Sequence, residues 1–322
     1  MKKLLPIPLK IKIRNWTPLY QVAIICIFVV AIVLRVVSVD LEREIRIGSD
    51  ESLYHYAAEN LLKYGMLTDD RLGEMYQGSL QPEPATTLSP GYPLFIALIY
   101  ALFGHSTKFV FVAHLLLSIL TFWLIYKTLT VLKVGKPYIV ISLVAALLYP
   151  GFYYNIDRML TETLFTALLL SSIYLFLLGR EKENYYLFGA SAVLLGAATH
   201  VNAFAFPLLL ILIAILVVYE SNNRKRMLAN IGIMAGGFLL CMLPWWIRNI
   251  RTFDTFMLFA EAGVNPRIWG AVPYYLDVLT SAEGRTLSEI VDLNKGVNPT
   301  IYYKWRIFGF FQYMWGDIWD EN

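Results

Sequence analysis

The chain is 322 residues long, 57% hydrophobic and only 16% charged, with a mean hydropathy of +0.55. That balance excludes an ordinary soluble domain, where charged residues make up about 25%. A formal net charge of +3 offers no basic surface for a nucleic-acid partner.

Taken in chain order, the basic start "MKKLLPIPLKIKIRNW" precedes an apolar run over 19–39. No small-residue cleavage site follows it, so it reads as an uncleaved signal anchor with a cytoplasmic N-terminus. Further apolar runs cover 91–104, 109–126, 137–150, 160–178, 185–202, 204–219 and 229–247. Runs of this kind predict an all-α polytopic membrane protein. The two cysteines, Cys26 and Cys241, both fall inside such runs and predict packed thiols rather than a disulfide or a metal site.

Positive charge in short loops sets orientation. Basic residues mark the N-terminus and the loops at Lys127/Lys133/Lys136, Arg180/Lys182 and Arg224/Lys225/Arg226. All four loops share the cytoplasmic side only if 91–104 does not cross. That run, "SPGYPLFIALIYALFG", is also short for a span. The expectation is therefore seven crossings, with 91–104 dipping in from outside. A transmembrane module over 1–250 then carries a first outer loop at 40–106, and 251–322 forms an outer-face segment.

Three polar stretches fall on the expected outer face. "GSDESLYHYAAENLLKYG" (48–65) predicts an amphipathic helix in the interface plane, N-capped by Ser49, stopped by Gly65, and opened by Asp50 and Glu51. Helix-dipole complementation alone would account for those acids. "YNIDRMLTETLF" places Asp157, Arg158 and Glu162 at the mouth of a membrane helix, with Arg158 and Glu162 at i,i+4. A structural ion pair would explain them equally well. "PWWIRNIRTFD" sets Arg248, Asn249 and Arg251 beside the interfacial pair Trp245 and Trp246. Outer arginines suit an anionic ligand, which guanidinium binds bidentately; lipid headgroups or loop acids would serve as well. Arg35 is read as snorkelling to the interface, and His200 with Asn202 marks another outer turn. No metal-ligand spacing, Ser/His/Asp grouping or glycine-rich phosphate loop is present.

These stretches, in this order, resemble the GT-C superfamily of membrane glycosyltransferases, in the branch of protein O-mannosyltransferases and lipid A aminoarabinose transferases. The matching pieces are Arg35 followed by "SDESLYHYAAENLLKYG", then "LSPGYPLFIALIYALFG", "LYPGFYYNIDRMLTETLF" and "PWWIRN". The resemblance implies a GT-C core and inverting transfer from a polyprenyl-phosphate sugar to a glycan, lipid or protein acceptor, outside the bacterial plasma membrane. By the same analogy Asp50 is the catalytic base, supported by Glu51. Glu162, with Thr161, holds acceptor or sugar, Arg248 binds the donor phosphate, and Tyr54 shares the face of Asp50. Asp157, Arg158, Asn249 and Arg251 join the substrate-binding set. His200, standing where relatives carry arginine or lysine, is counted in that set too. Relatives also continue into further spans, so a shortened member, a fragment or half of a complex is expected. No cofactor is demanded, though the acids leave a divalent cation open. The competing readings are a flippase for a lipid-linked sugar and a non-catalytic subunit.

Overall fold

The apolar runs become helices because hydrocarbon offers backbone N–H and C=O groups no partner outside the segment. The computed structural model describes residues 16–260. The basic N-terminal residues before Trp16, and the segment after Ala260, lie outside the described residues. Every regular element among those described is helical: α1 (Trp16–Ser38), α2 (Asp50–Tyr64), α3 (Glu74–Gln77), α4 (Gly91–Phe103), α5 (Thr107–Val131), α6 (Lys136–Leu148), α7 (Gly151–Tyr154), α8 (Glu162–Lys182), α9 (Tyr185–Val201), α10 (Phe206–Tyr219) and α11 (Arg224–Phe253). A 3-10 turn, Ala203–Ala205, joins α9 to α10. The expected boundary after residue 250 falls inside the last turn of α11.

Four helices, Pro18–Ser38, Thr107–Val131, Glu162–Lys182 and Arg224–Phe253, are long and apolar enough to cross a membrane. The four shorter apolar helices are sorted by their contacts, not their length. α4 and α6 each have 13 residues, about 20 Å at 1.5 Å per residue and short of a roughly 30 Å hydrocarbon core. Yet α6 begins where Lys136 lies over the Tyr20 ring, near the start of α1. It leads into Pro150 and Tyr153, which share a cavity with Ser38 at the end of α1. The link from α5 to α7 through α6 thus changes faces.

α4 does not change faces. Gly91 at its start abuts the backbone of His200 and Val201 at the end of α9, and just beyond its end His105 bonds Glu59 of α2. Lys108, at the start of α5, pairs with Glu42 in the loop after α1. Chain that leaves α1 therefore re-enters the bundle at α5 from the same face. The described loops at the other ends also gather on one face, where Lys133 pairs with Glu181 and Arg226 with Glu183.

The bundle core joins Phe176, Phe188, Leu195, Leu212, Met234 and Phe238 from α8 to α11. Ser172 and Ser191 cross-bond between α8 and α9, each hydroxyl donating to the other's carbonyl at 2.8 Å. Gly237 lets α11 approach Gly189, whose carbonyl would stand 3.3 Å from an added Cβ.

Three local expectations are corrected. Arg35 does not snorkel: it is fully buried, donates to the Ser118 hydroxyl at 2.9 Å and the Ala31 carbonyl at 3.0 Å, and lies over the Phe122 ring. Packing between α1 and α5 leaves it no route to water. Cys26 is not packed but exposed on the outside of α1, while Cys241 is half-buried. And α2 is not a lone surface helix, because α4 packs against it and its polar Glu59 and Asn60 are buried.

Candidate active site

Ser49 caps α2 as expected, accepting the Glu51 N–H at 3.2 Å, and Gly65 ends the helix at φ 67°. A left-handed residue there favours glycine. The two acids of the first turn then part company. Glu51 turns inward and is buried. Its two oxygens take both terminal nitrogens of Arg43, at 2.9 and 3.1 Å, and the backbone N–H of Arg46 at 2.9 Å. Arg43 also donates to the Asp157 carbonyl at 2.8 Å. Glu51 therefore ties the loop after α1 to the loop before α8. With its oxygens so committed, it is a positioning group.

Asp50 turns outward, its side chain 58% exposed, and meets Arg71 at 2.8 Å. Arg71 comes from the segment between α2 and α3, which the Asn60–Asp70 and Ser52–Arg71 hydrogen bonds fold back over α2. An exposed pair of this kind contributes little stability, so the contact orients a carboxylate that stays accessible.

The second acidic stretch folds differently from the expected i,i+4 pair. Residues 155–161 form a turn, and α8 starts only at Glu162. Arg158 therefore does not share a helix face with Glu162. Its guanidinium stacks on the Tyr154 ring at 3.8 Å. Asp157 accepts the Asp40 N–H at 3.3 Å. Arg43, Asp157, Arg158 and Ser38 line a cavity of about 310 Å³ at the end of α1. Glu162 is exposed and makes no hydrogen bond to another described residue.

α11 brings the third stretch. Its 30 residues reach about 45 Å, longer than the hydrocarbon core, so its last turns reach the loop face. Trp245 is not an interfacial anchor: it is buried against Leu53, Ala57, Leu67 and Leu88 and docks α11 on α2. Trp246 donates its indole N–H to the Leu258 carbonyl at 3.1 Å. Arg248 lies between the Trp245 and Phe253 rings and donates to the Ala85 carbonyl and to Asn249 Oδ1, both at 2.9 Å. Asn249 is fully buried and its Nδ2 has no partner among the described residues. Arg251 is exposed. His200 is held away from this cluster in a bond between its Nε2 and the Cys241 carbonyl at 3.0 Å, closing α9 on α11.

Tyr54 sits one turn beyond Asp50 and packs edge-on against Tyr92. Burial pushes its phenol up to about 12, helped by the charges of Asp50 and Glu162 and opposed by Arg71. The hydroxyl therefore stays protonated at neutral pH and can donate. The same influences show that two acids from distant segments and one guanidinium all lie near this ring. Sequence patterns missed Arg43, Arg71 and His114, which lie in no periodic motif. His114, buried on α5, bonds the Tyr92 hydroxyl at 3.1 Å and the Ile156 carbonyl at 3.2 Å. Among the described residues no three His, Cys, Asp or Glu side chains group to hold a metal ion.

Asp50 and Glu162 both lie within electrostatic reach of the Tyr54 phenol, whereas Arg248 is tied to Ala85 and Asn249 and Arg251 is exposed at the end of α11, neither in contact with those acids. Residues 84–247, just over half of the chain, match the family model described as dolichyl-phosphate-mannose-protein mannosyltransferase. The match contains Asp157, Arg158, Glu162 and His200, whereas Asp50, Glu51 and Tyr54 precede it. No curated protein and no solved structure matches the chain.

Proposed function

The chain belongs to the dolichyl-phosphate-mannose-protein mannosyltransferase family, a family of membrane glycosyltransferases that use a lipid-linked sugar, and from that premise we propose an inverting transfer from a polyprenyl-phosphate carrier. The acceptor is a hydroxyl of a cell-envelope glycan, lipid or protein, and the reaction runs on the extracytoplasmic face. Asp50 takes the acceptor's proton as its oxygen attacks the anomeric carbon. The bond from that carbon to the phosphate oxygen breaks, and the electron pair leaves with polyprenyl phosphate. Positioned base catalysis contributes typically about 10²–10⁴-fold.

Arg248 and Arg251 meet the leaving phosphate, where fixed positive charge stabilises what develops in the transition state. Arg248 still has guanidinium nitrogens beyond the one bonded to Ala85 and Asn249. Glu162 and Tyr54 hold sugar or acceptor hydroxyls, and Glu51 positions the turn that carries Asp50. The observation that carries this reading is the division of labour at one helix start. Glu51 is locked by Arg43, while neighbouring Asp50 stays exposed beside Arg71.

The test is sugar transfer from a short-chain polyprenyl-phosphate mannose to membrane acceptors, wild type against Asp50→Asn. Transfer by the wild type and its loss in the variant are expected. Full activity in Asp50→Asn would remove the base assignment.

A further inference from the structure

Between α5, α7 and α8 lies a second cavity, of about 180 Å³, separate from the one at the end of α1. Ser118, Thr121, Asn155, Glu162, Thr163 and Thr166 supply its polar lining. At about 30 Å³ of liquid per water, it holds roughly six water volumes, the space of one monosaccharide ring.

Some of these groups are already committed. Ser118 accepts from buried Arg35 and donates to the Phe152 carbonyl at 2.6 Å, which leaves it one lone pair. Thr163 donates to the Asn155 carbonyl at 3.3 Å. The side chains of Thr121, Asn155, Glu162 and Thr166 make no hydrogen bond to any other described residue. Two hydroxyls, an amide and a carboxylate are thus free to bond within one small space, although Thr121 is itself buried. Arg35 stands behind Ser118, its Nη2 buried and without a partner among the described residues, so it offsets negative charge without lining the cavity.

The lining decides the ligand class. Its one charged side chain is an acid, which disfavours a phosphate. Donors and acceptors in mixture, with a carboxylate able to accept hydrogen bonds from two hydroxyls, match a neutral polyol. Glu162 is shared with the surroundings of Tyr54, whose phenol feels its charge.

We infer that this cavity seats the sugar ring of the lipid donor, with Thr121, Thr166 and Asn155 as residues that determine which sugar is accepted. This deepens the glycosyltransferase reading and rests on it. The lipid phosphate then stays outside, toward the arginines.

The experiment measures binding of short-chain polyprenyl phosphate, bare or carrying one of several hexoses or pentoses, to the purified full chain. Wild type is compared with Thr121→Val and Thr166→Val, two isosteric changes on different helices. At least one sugar-bearing lipid should bind wild type about tenfold more tightly than the bare lipid, as expected for one or two hydrogen bonds. Each valine variant should lose most of that advantage and keep the bare-lipid affinity. If one variant also loses the bare lipid through misfolding, the other decides. An advantage that survives both substitutions, or is missing from wild type, overturns the sugar pocket and leaves the glycosyltransferase reading standing. Wild type that binds none of these lipids overturns both.

Discussion

The two faces of the bundle use ion pairs in different ways. On the face of the basic loops, Lys133 after α5 pairs with Glu181 of α8, both well exposed, and Arg226 of α11 pairs with exposed Glu183 just past α8. On the face of α2, Glu51 is 5% exposed and joins, through Arg43, segments more than a hundred residues apart. Removing a charge from a buried pair strands its partner, whereas an exposed pair exchanges easily for water. The buried pair at Glu51 is the one that fixes a turn in place, while exposed pairs, Asp50–Arg71 and Lys108–Glu42 on the same face included, are disposable.

The contrast fails outright if the two faces are not on opposite sides of the membrane. Single cysteines at Gln81 and Asn222, in a background without Cys26 and Cys241, should label from opposite sides. A cysteine at Gly135 should behave like Asn222. Labelling of Gly135 together with Gln81 would break the seven-crossing topology.

Next in size is Asp50→Asn, expected to lower transfer about 10²-fold or more while leaving the thermal midpoint unchanged, because the side chain is exposed. Glu51→Gln should do the converse in its first effect. It leaves Arg43 without its carboxylate, and the cost is about 3 kcal/mol, read as a lower melting temperature in detergent. A Glu51→Gln protein as stable as wild type would show that the buried pair is not what fixes this turn.

A smaller, pH-dependent effect is expected where α2 meets α4. His55 contacts the Tyr100 hydroxyl at 2.8 Å, with Glu59 and His105 close by. Burial holds its imidazole below the ordinary histidine range, against the opposing pull of Glu59. Below about pH 6.5 an unfolded His55 takes a proton that the folded one resists. Stability therefore falls as pH drops through that range. Thermal melts at pH 7.5 and 5.5 should differ more for wild type than for His55→Gln. The smallest change belongs to Lys133→Gln on the opposite face, whose pair with Glu181 is well exposed, below about 1 kcal/mol and without effect on transfer.

Much of the fold was legible because hydrophobic runs and caps are local. The runs over 91–104, 137–150 and 185–202 correspond to Gly91–Phe103, Lys136–Leu148 and Tyr185–Val201, and Ser49 and Gly65 bound α2 as their chemistry requires. The pairing of basic loops with one face also followed from charge alone. What sequence could not show was which acid is buried. Asp50 and Glu51 are adjacent and of like charge, and only the path of the following loop gives Arg43 to one and Arg71 to the other. Amphipathicity alone does not tell that Glu59 and Asn60 of α2 are buried, through His105 beyond α4 and through Thr68 and Asp70. Arg35 looked free to reach water until α5 closed over it. In the candidate site, the acids were visible as motif residues, but the hydroxyl-lined cavity was not. Thr121 and Thr166 belong to apolar runs whose periodicity hides them.

The tight seat of Gly91 on α9 carries one more consequence. A single added methyl would sit 2.7 Å from the main chain of His200 and Val201, and backbone cannot step aside as a flexible side chain can. Alanine at this position would pry α4 off its footing and, because neighbouring Tyr92 packs on Tyr54 of α2, disturb the helix turn that carries Asp50. One hydrogen atom in place of a carbon thus acts as the keystone between the surface platform and the pillars beneath it.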